Sequence, residues 1–200
     1  CALCGSREFR VRYRPERELA DPKEAISASH GVMGTQQIVD CSGCGLVYVN
    51  PRLRPEVVLG AYQDSVDPEY VSQAEERLRT FRGCVRVLDA ALPSRGRVLD
   101  VGAAGGFFVK AAREAGWEAS GMEPSRWLAE WGRSHLGVDL REGTLDQPPF
   151  PEQSFDAVTM WDTLEHTADP PAQVRAARRL LRPGGILLVP LLLHILGHSQ

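Results

Sequence analysis

Two periodicities run along the chain. Between Ser72 and Leu92 the segment SQAEERLRTFRGCVRVLDAAL places Leu78, Phe81, Val85, Leu88 and Leu92 at helical spacing, which predicts a helix with one buried face. The surrounding stretch, roughly Arg52 to Pro93, reads as helical. From Ser94 onward short apolar runs alternate with amphipathic segments. RVLDV, WEASGME, VDLREG, FDAVTMW and ILLV predict five strands. FFVKAAREAG, SRWLAEWGRSHLG and AQVRAARRLLRPGG predict helices. Gly116 sits near the stop of the first, Ser125 caps the second, and Asp169 with Pro170 opens the third, which ends at a Pro-Gly-Gly turn. Strands separated by helices imply a parallel sheet covered on both faces.

The first strand runs into a glycine-rich turn, VLDVGAAGGFF, at residues 98–108. In an open α/β sheet this is where ligands bind. A dinucleotide site would read GxGxxG, with a helix N-terminus aimed at a pyrophosphate. Here Gly102, Gly105 and Gly106 enclose Ala103 and Ala104, and Asp100 ends the strand. A carboxylate beside a pyrophosphate is repulsive, so the loop suits a ligand with a positive centre. S-adenosylmethionine has an ammonium and a sulfonium and no phosphate. Asp100 can answer the ammonium, directly or through water, and Gly102 permits close backbone approach. Glu123, at the end of the second strand, can take both ribose hydroxyls.

Composition bounds the alternatives. The 200 residues suffice for one ordinary domain plus a small appendage, and 43% apolar against 24% charged residues fits a packed core. A net charge of -3 supplies no broad basic field for nucleic acid. The longest apolar run, ILLVPLLLHIL, is broken by Pro190 and too short to span a bilayer. No signal peptide is visible, and the chain starts at Cys1 without an initiator Met. Four of the five cysteines form two CxxC pairs, Cys1/Cys4 and Cys41/Cys44, each followed by glycine (Gly5, Gly45). With no secretory sign, such pairs favour zinc over disulfides and a reducing, cytoplasmic setting. Four thiolates leave no open position, so the metal is structural. His30 is not needed as a ligand. Cys84, between apolar helix positions, reads as a packed small hydrophobe rather than a reactive thiol.

The blocks VLDVGAAGGFF, GMEPS, FDAVTMWDTLEH and RRLLRPGGILLV, in that order over about Val98 to Val189, resemble class I S-adenosylmethionine-dependent methyltransferases. The likeness is closest to the small-molecule branch that carries EH after the fourth strand. The resemblance implies a Rossmann-like parallel sheet, α/β in class. It places Asp100, Gly102 and Gly106 around the methionine part, Glu123 at the ribose, and Gly143, Thr144 and Leu145 at the adenine edge, with Ala103, Pro124 and Trp161 also lining the cofactor. The loop from Trp161 closes over the cofactor. Ala104 replaces a frequent glycine. Thr144 replaces a frequent aspartate, and Asp146 is the substitute. The N-terminal cysteines resemble a rubredoxin-like zinc ribbon found ahead of some such enzymes.

Three regions follow: a ribbon at 1–51, a helical connector or cofactor lid at 52–93, and a methyltransferase domain at 94–200. Tyr62 and Tyr70 in the connector are expected to cover the cofactor or to serve as core aromatics. A complete sheet of this type has two further strands after ILLV, and LLLHILGHSQ does not read as strands, so the domain is expected to be C-terminally incomplete. His166 is the candidate general base, because its pKa lies near working pH. Glu165 either orients it or binds a substrate group. The alternative for both is to fix the loop by hydrogen bonds to backbone.

The expected acceptor is a small molecule, such as a sugar or natural-product precursor. An RNA acceptor is the second reading, with the basic segment from Arg10 to Arg17 as its footprint or as a solvated ribbon edge. WDTL in place of an NPPY-type motif disfavours base amino groups. The third reading is a non-catalytic S-adenosylmethionine-binding protein.

Overall fold

The computed structural model describes residues 1–16 and 36–189; Arg17, His30 and the segment 190–200 fall outside the described residues. Near the N-terminus, strands β1 (Phe9–Tyr13), β2 (Ile38–Cys41) and β3 (Val47–Val49) form an antiparallel sheet in the order β1-β2-β3. Three helices follow: α1 (Pro55–Gln63), α2 (Pro68–Ser72) and α3 (Ala74–Ala91). Helices α1 and α2 both carry Pro at their start, where the missing N–H costs nothing. In α3 the predicted face is the buried one. Val85 and Leu88 are fully enclosed, and Phe81, Cys84 and Leu92 pack beside them. Burial raises the Cys84 thiol pKa, as a packed hydrophobe requires.

The rest is a doubly wound sheet. Strands β4 (Arg97–Val101), β5 (Glu118–Glu123), β6 (Asp139–Glu142), β7 (Phe155–Thr159) and β8 (Leu181–Leu188) lie in the order β6-β5-β4-β7-β8, all parallel. Helices α4 (Phe107–Glu114), α5 (Arg126–Leu136) and α6 (Pro170–Leu180) connect them. The order reverses between β4 and β7, so a crevice opens at the carboxyl end of β4. Alternate strand residues feed two cores. On one face Val98, Ala119 and Ala157 meet α3, α4 and Ala129 of α5. On the other, Leu99, Met122 and Val158 meet Ala176, Ala177 and Leu180 of α6.

Local chemistry sets the boundaries. The Ser125 hydroxyl accepts from the Leu128 amide, and Gly137 at φ +64° ends α5 in the left-handed region. Asp169 accepts from the Ala172 amide and Pro170 follows. The sequence predicts that α6 extends to the Pro-Gly-Gly turn, but the helix stops at Leu180. Leu181 is already paired with Phe155 and fills the second core, so burial of its side chain outweighs one more helical turn. The segment Arg182–Gly185 then bulges out, with Arg182 held by Asp156 at 2.9 and 3.1 Å, before pairing resumes at Ile186.

Candidate active site and cysteine centre

The glycine loop leaves β4 through Gly102 at φ +71°. A Cβ there would lie 2.7 Å from Thr163 Oγ1, so the position needs glycine for the backbone twist and for the WDTLEH loop packed on it. At Gly106, the left-handed cap of α4 at φ +80°, a Cβ would meet Val138 at 2.8 Å and Leu140 at 3.0 Å. Both glycines face protein atoms. They shape the loop, and the surface they offer a ligand is backbone.

Most backbone amides of this loop already have partners. Gly102 and Ala103 N–H donate to the Met122 carbonyl at 2.8 and 3.0 Å, and Ala104 N–H donates to Glu123 Oε2 at 2.8 Å. A pyrophosphate would need such donors free, which agrees with the reading drawn from Asp100. Ala104 sits at φ +45°, where its Cβ is strained. Ala104→Gly should therefore stabilise the fold by about 1 kcal/mol. A denaturant titration would show a higher midpoint with unchanged slope.

Asp100 and Glu123 end neighbouring strands and are 3% and 4% exposed. The Thr159 hydroxyl donates to Asp100 Oδ1 at 2.7 Å, and Ser125 N–H donates to Glu123 Oε1 at 2.8 Å. Neither carboxylate has a basic partner among the described residues. Burial pushes Asp100 up to about 8, with the nearby Glu123 charge adding to the shift. Burial lifts Glu123 to about 7 against the pull of the Ser125 and Ala104 amides. Two enclosed carboxylates without a cation fit a positively charged ligand. Each Glu123 oxygen keeps a further lone pair, so ribose hydroxyls can still donate to it.

Residues of the connector lie near this pair. Tyr62 and Tyr70 are both driven up to about 12, first by burial and then by neighbouring charges that include Glu123, with Asp100 also acting on Tyr70. Tyr70 packs on Phe107 at 5.9 Å and lies under the Arg77 guanidinium at 3.5 Å. The Ser125 hydroxyl donates to the Ser65 carbonyl at 3.0 Å, tying the connector to the start of α5.

Beside Glu123 a cleft of about 380 Å³ is lined by Leu59, Gln63, Pro124, Gly143, Thr144 and Asp146 among others. That volume falls within the usual range of small-molecule sites. Pro124, Thr144 and Asp146 thus stand together at the expected adenine side. Leu145 does not open onto it, because its side chain is buried in the second core at 2% exposure. Ala103 is also in a core, at 6%.

Trp161 begins the loop after β7. Its ring packs on Phe108 at 5.1 Å and Phe81 at 6.3 Å, and its Nε1 is buried without a hydrogen-bond partner among the described residues. Glu165 and His166 lie on a short 3-10 turn, Leu164–His166, and both are exposed. Among the described residues neither side chain makes a hydrogen bond to backbone, so the loop-fixing alternative finds no support in the geometry. Thr163 and Thr167 carry those bonds instead, to the Val101, Trp161 and Leu164 carbonyls.

At the other end of the chain, Cys1, Cys4, Cys41 and Cys44 converge, with their sulfurs all within 4.8 Å of one another. Cys1–Cys44 and Cys4–Cys41 sulfurs are 3.7 and 3.5 Å apart. Tetrahedral zinc with sulfur at about 2.3 Å requires about 3.8 Å. The two knuckles repeat one geometry. Gly5 and Gly45 both have φ +75° and donate to the Cys1 and Cys41 carbonyls at 3.0 Å. The donor set and its spacing fit a structural zinc ion.

The methyltransferase-domain family profile matches residues 70–194, more than half of the chain. The chain belongs to that family, and its sheet is of the class I, S-adenosylmethionine-dependent type. It is 36% identical over 95 residues to a ubiquinone biosynthesis O-methyltransferase of Alkalilimnicola ehrlichii, covering 44% of this chain and 38% of the relative. The enzyme of the same name from Cereibacter sphaeroides is 33% identical over 109 residues, covering 52% and 44%. The chain thus spans less than half the length of these curated relatives. The S-adenosylmethionine-bound amino pentose methyltransferase of calicheamicin biosynthesis from Micromonospora echinaspora shares the fold. Its TM-score is 0.52 at 24% identity, over 62% of this chain and 56% of that one.

Proposed function

We propose that this chain forms the cofactor-binding part of an S-adenosylmethionine-dependent methyltransferase acting on a hydroxyl group of a small molecule. The observation that carries the reading is the enclosed Asp100–Glu123 pair, without a cation among the described residues, next to a loop in which the Gly102, Ala103 and Ala104 amides are committed to β5 and Glu123. Asp100 binds the ammonium end of the cofactor, Glu123 the ribose, and the Pro124–Thr144–Asp146 cleft the adenine. The cofactor supplies an electrophilic methyl on a sulfonium. Residues 1–51 serve as the zinc ribbon, 52–93 as the lid and 94 onward as the catalytic domain. Among the described residues no helix is long and apolar enough to cross a membrane, and the paired thiols accord with a reducing cytoplasmic setting.

His166 takes the acceptor proton. A phenol-type hydroxyl, with pKa near 10, gives up its proton to a histidine general base far more readily than an alcohol does. Hydroxylated aromatic acceptors therefore fit better than sugar hydroxyls. The names of the curated relatives favour O-methylation of a small molecule. An RNA acceptor is less favoured, because Arg12 is already bound to Asp40 at 2.6 Å within the ribbon.

The deciding experiment is transfer of labelled methyl from S-adenosylmethionine to catechol, to methyl glucoside and to an RNA pool. Label in catechol is expected, and label confined to RNA overturns the acceptor class. His166→Gln should slow transfer about 100-fold while cofactor affinity stays within about twofold. An undiminished rate removes His166 from the chemistry.

A further inference from the structure

We propose that Arg52 is a positioning residue that fixes the His166-bearing turn to the cysteine ribbon. Arg52 directly follows the ribbon. Its Nη1 donates to the carbonyls of Thr167 and Ala168 at 3.2 and 3.0 Å, across more than a hundred residues of sequence. Its Nε donates to the Val49 carbonyl at 3.3 Å, at the end of β3. The guanidinium also lies 5.7 Å from the Tyr48 ring centroid. One planar group therefore spans both regions, and its fixed fork of donors suits that task as an ammonium does not.

The turn it holds has little else to hold it. Thr163 anchors the near side to the end of β4 through the Val101 carbonyl. Asp169 caps α6 on the far side. Leu164 packs on the second core. Within 164–168 the remaining hydrogen bonds are local: His166 N–H to the Thr163 carbonyl, Thr167 N–H to the Leu164 carbonyl, and the Thr167 hydroxyl to the same carbonyl. Among the described residues, Arg52 is the only partner outside this segment and its flanks to bond residues 164–168.

The route continues into the metal centre. Val49 is paired with Ile38, and β2 carries Cys41 three residues further on. At the same end of β3, the Gln37 side-chain amide donates to the Asn50 carbonyl at 2.8 Å, and Asn50 N–H donates to the Gln37 carbonyl. Order at the four sulfurs is thus passed through β2 and β3 to Arg52, and from there to the loop that carries Glu165 and His166. This gives the ribbon a role in the reaction without requiring it to touch a substrate. The inference rests on the reading of His166 given above.

Hydrogen exchange of the whole chain tests it, read on peptides covering 163–169. In Arg52→Ala these amides should exchange about tenfold faster, with β4 and β5 unchanged. Affinity for S-adenosylhomocysteine should stay within about twofold, since Arg52 makes no bond to Asp100 or Glu123. Arg52→Lys should recover part of the protection, because an ammonium can reach the Thr167 and Ala168 carbonyls but cannot also bond Val49. Stripping the metal with a chelator should loosen the same peptides in the native chain and add nothing in Arg52→Ala. Unchanged exchange in Arg52→Ala, or loss of protection spread evenly over the sheet, overturns the proposal. Faster exchange in a chain that fails to bind S-adenosylhomocysteine would uphold the Arg52 lock while removing the methyltransferase reading.

Discussion

Asp100→Asn should melt at a higher temperature than the native protein at pH 8 and match it only at about pH 3, below the unfolded pKa, yet bind S-adenosylmethionine roughly 1,000-fold more weakly at pH 8. The stability half follows from proton linkage. The folded Asp100 pKa is near 8 because of burial, against 3.8 in the unfolded chain. Between those values the folded state holds a proton that the unfolded state releases, so stability falls as pH rises from about 4 to about 8. Glu123, lifted to about 7, has the same sign over a lower range. Asparagine removes the Asp100 penalty and still accepts from the Thr159 hydroxyl. The binding half has the opposite sign. Leaving a cation enclosed without its anionic partner costs about 3–5 kcal/mol, and the asparagine amide turns a donor toward it. Calorimetric titration and thermal melts at the two pH values check both. Native-like affinity in Asp100→Asn would remove the ammonium role.

Loss of the metal should unfold β1–β3 while β4–β8 keep their protection. The three ribbon strands contribute few buried apolar residues, chiefly Val39 and Cys41. Units this small depend on a metal or a disulfide, and structural zinc supplies about 10–16 kcal/mol in comparable peptides. Cys41→Ser should behave like chelation, since Cys41 is the one ligand that is buried. The native protein is expected to hold about one zinc per chain with four thiols silent to titration. After chelation those thiols should react together, while Cys84, half-buried in the first core, stays slow. Thiols that titrate freely in the untreated protein would rule the zinc centre out.

Most of the fold could be read from the sequence, because the strands of the parallel sheet are short segments bounded by turns and alternating with amphipathic helices. RVLDV and its four successors all appear as strands, and Ser125, Gly137 and Asp169 stop or start helices by local chemistry. The end of α6 was less legible. Whether Leu181 extends a helix or pairs with Phe155 depends on a strand 26 residues away, and nothing local decides it. The site divides in the same way. Asp100, Glu123 and the cysteine pairs stand in motifs whose spacing carries meaning. Arg52 and Thr159 do not. An arginine after Asn-Pro and a threonine inside FDAVT look ordinary until the chain brings them to Thr167 and Asp100. The sequence does not show what packs beside the loop glycines: a Cβ at Gly102 would meet Thr163, and one at Gly106 would meet Val138 and Leu140.

The hydroxyl of Ser125 has two duties that separate cleanly. As acceptor it caps α5 through the Leu128 amide, and as donor it holds the Ser65 carbonyl of the connector. Lifting the connector breaks only the donor half, so α5 keeps its cap. A single neutral hydrogen bond contributes about 1 kcal/mol, which by itself biases closed over open only about fivefold. For the proposed lid, a latch this weak would let a cofactor pass through a thermally populated opening without unwinding α5.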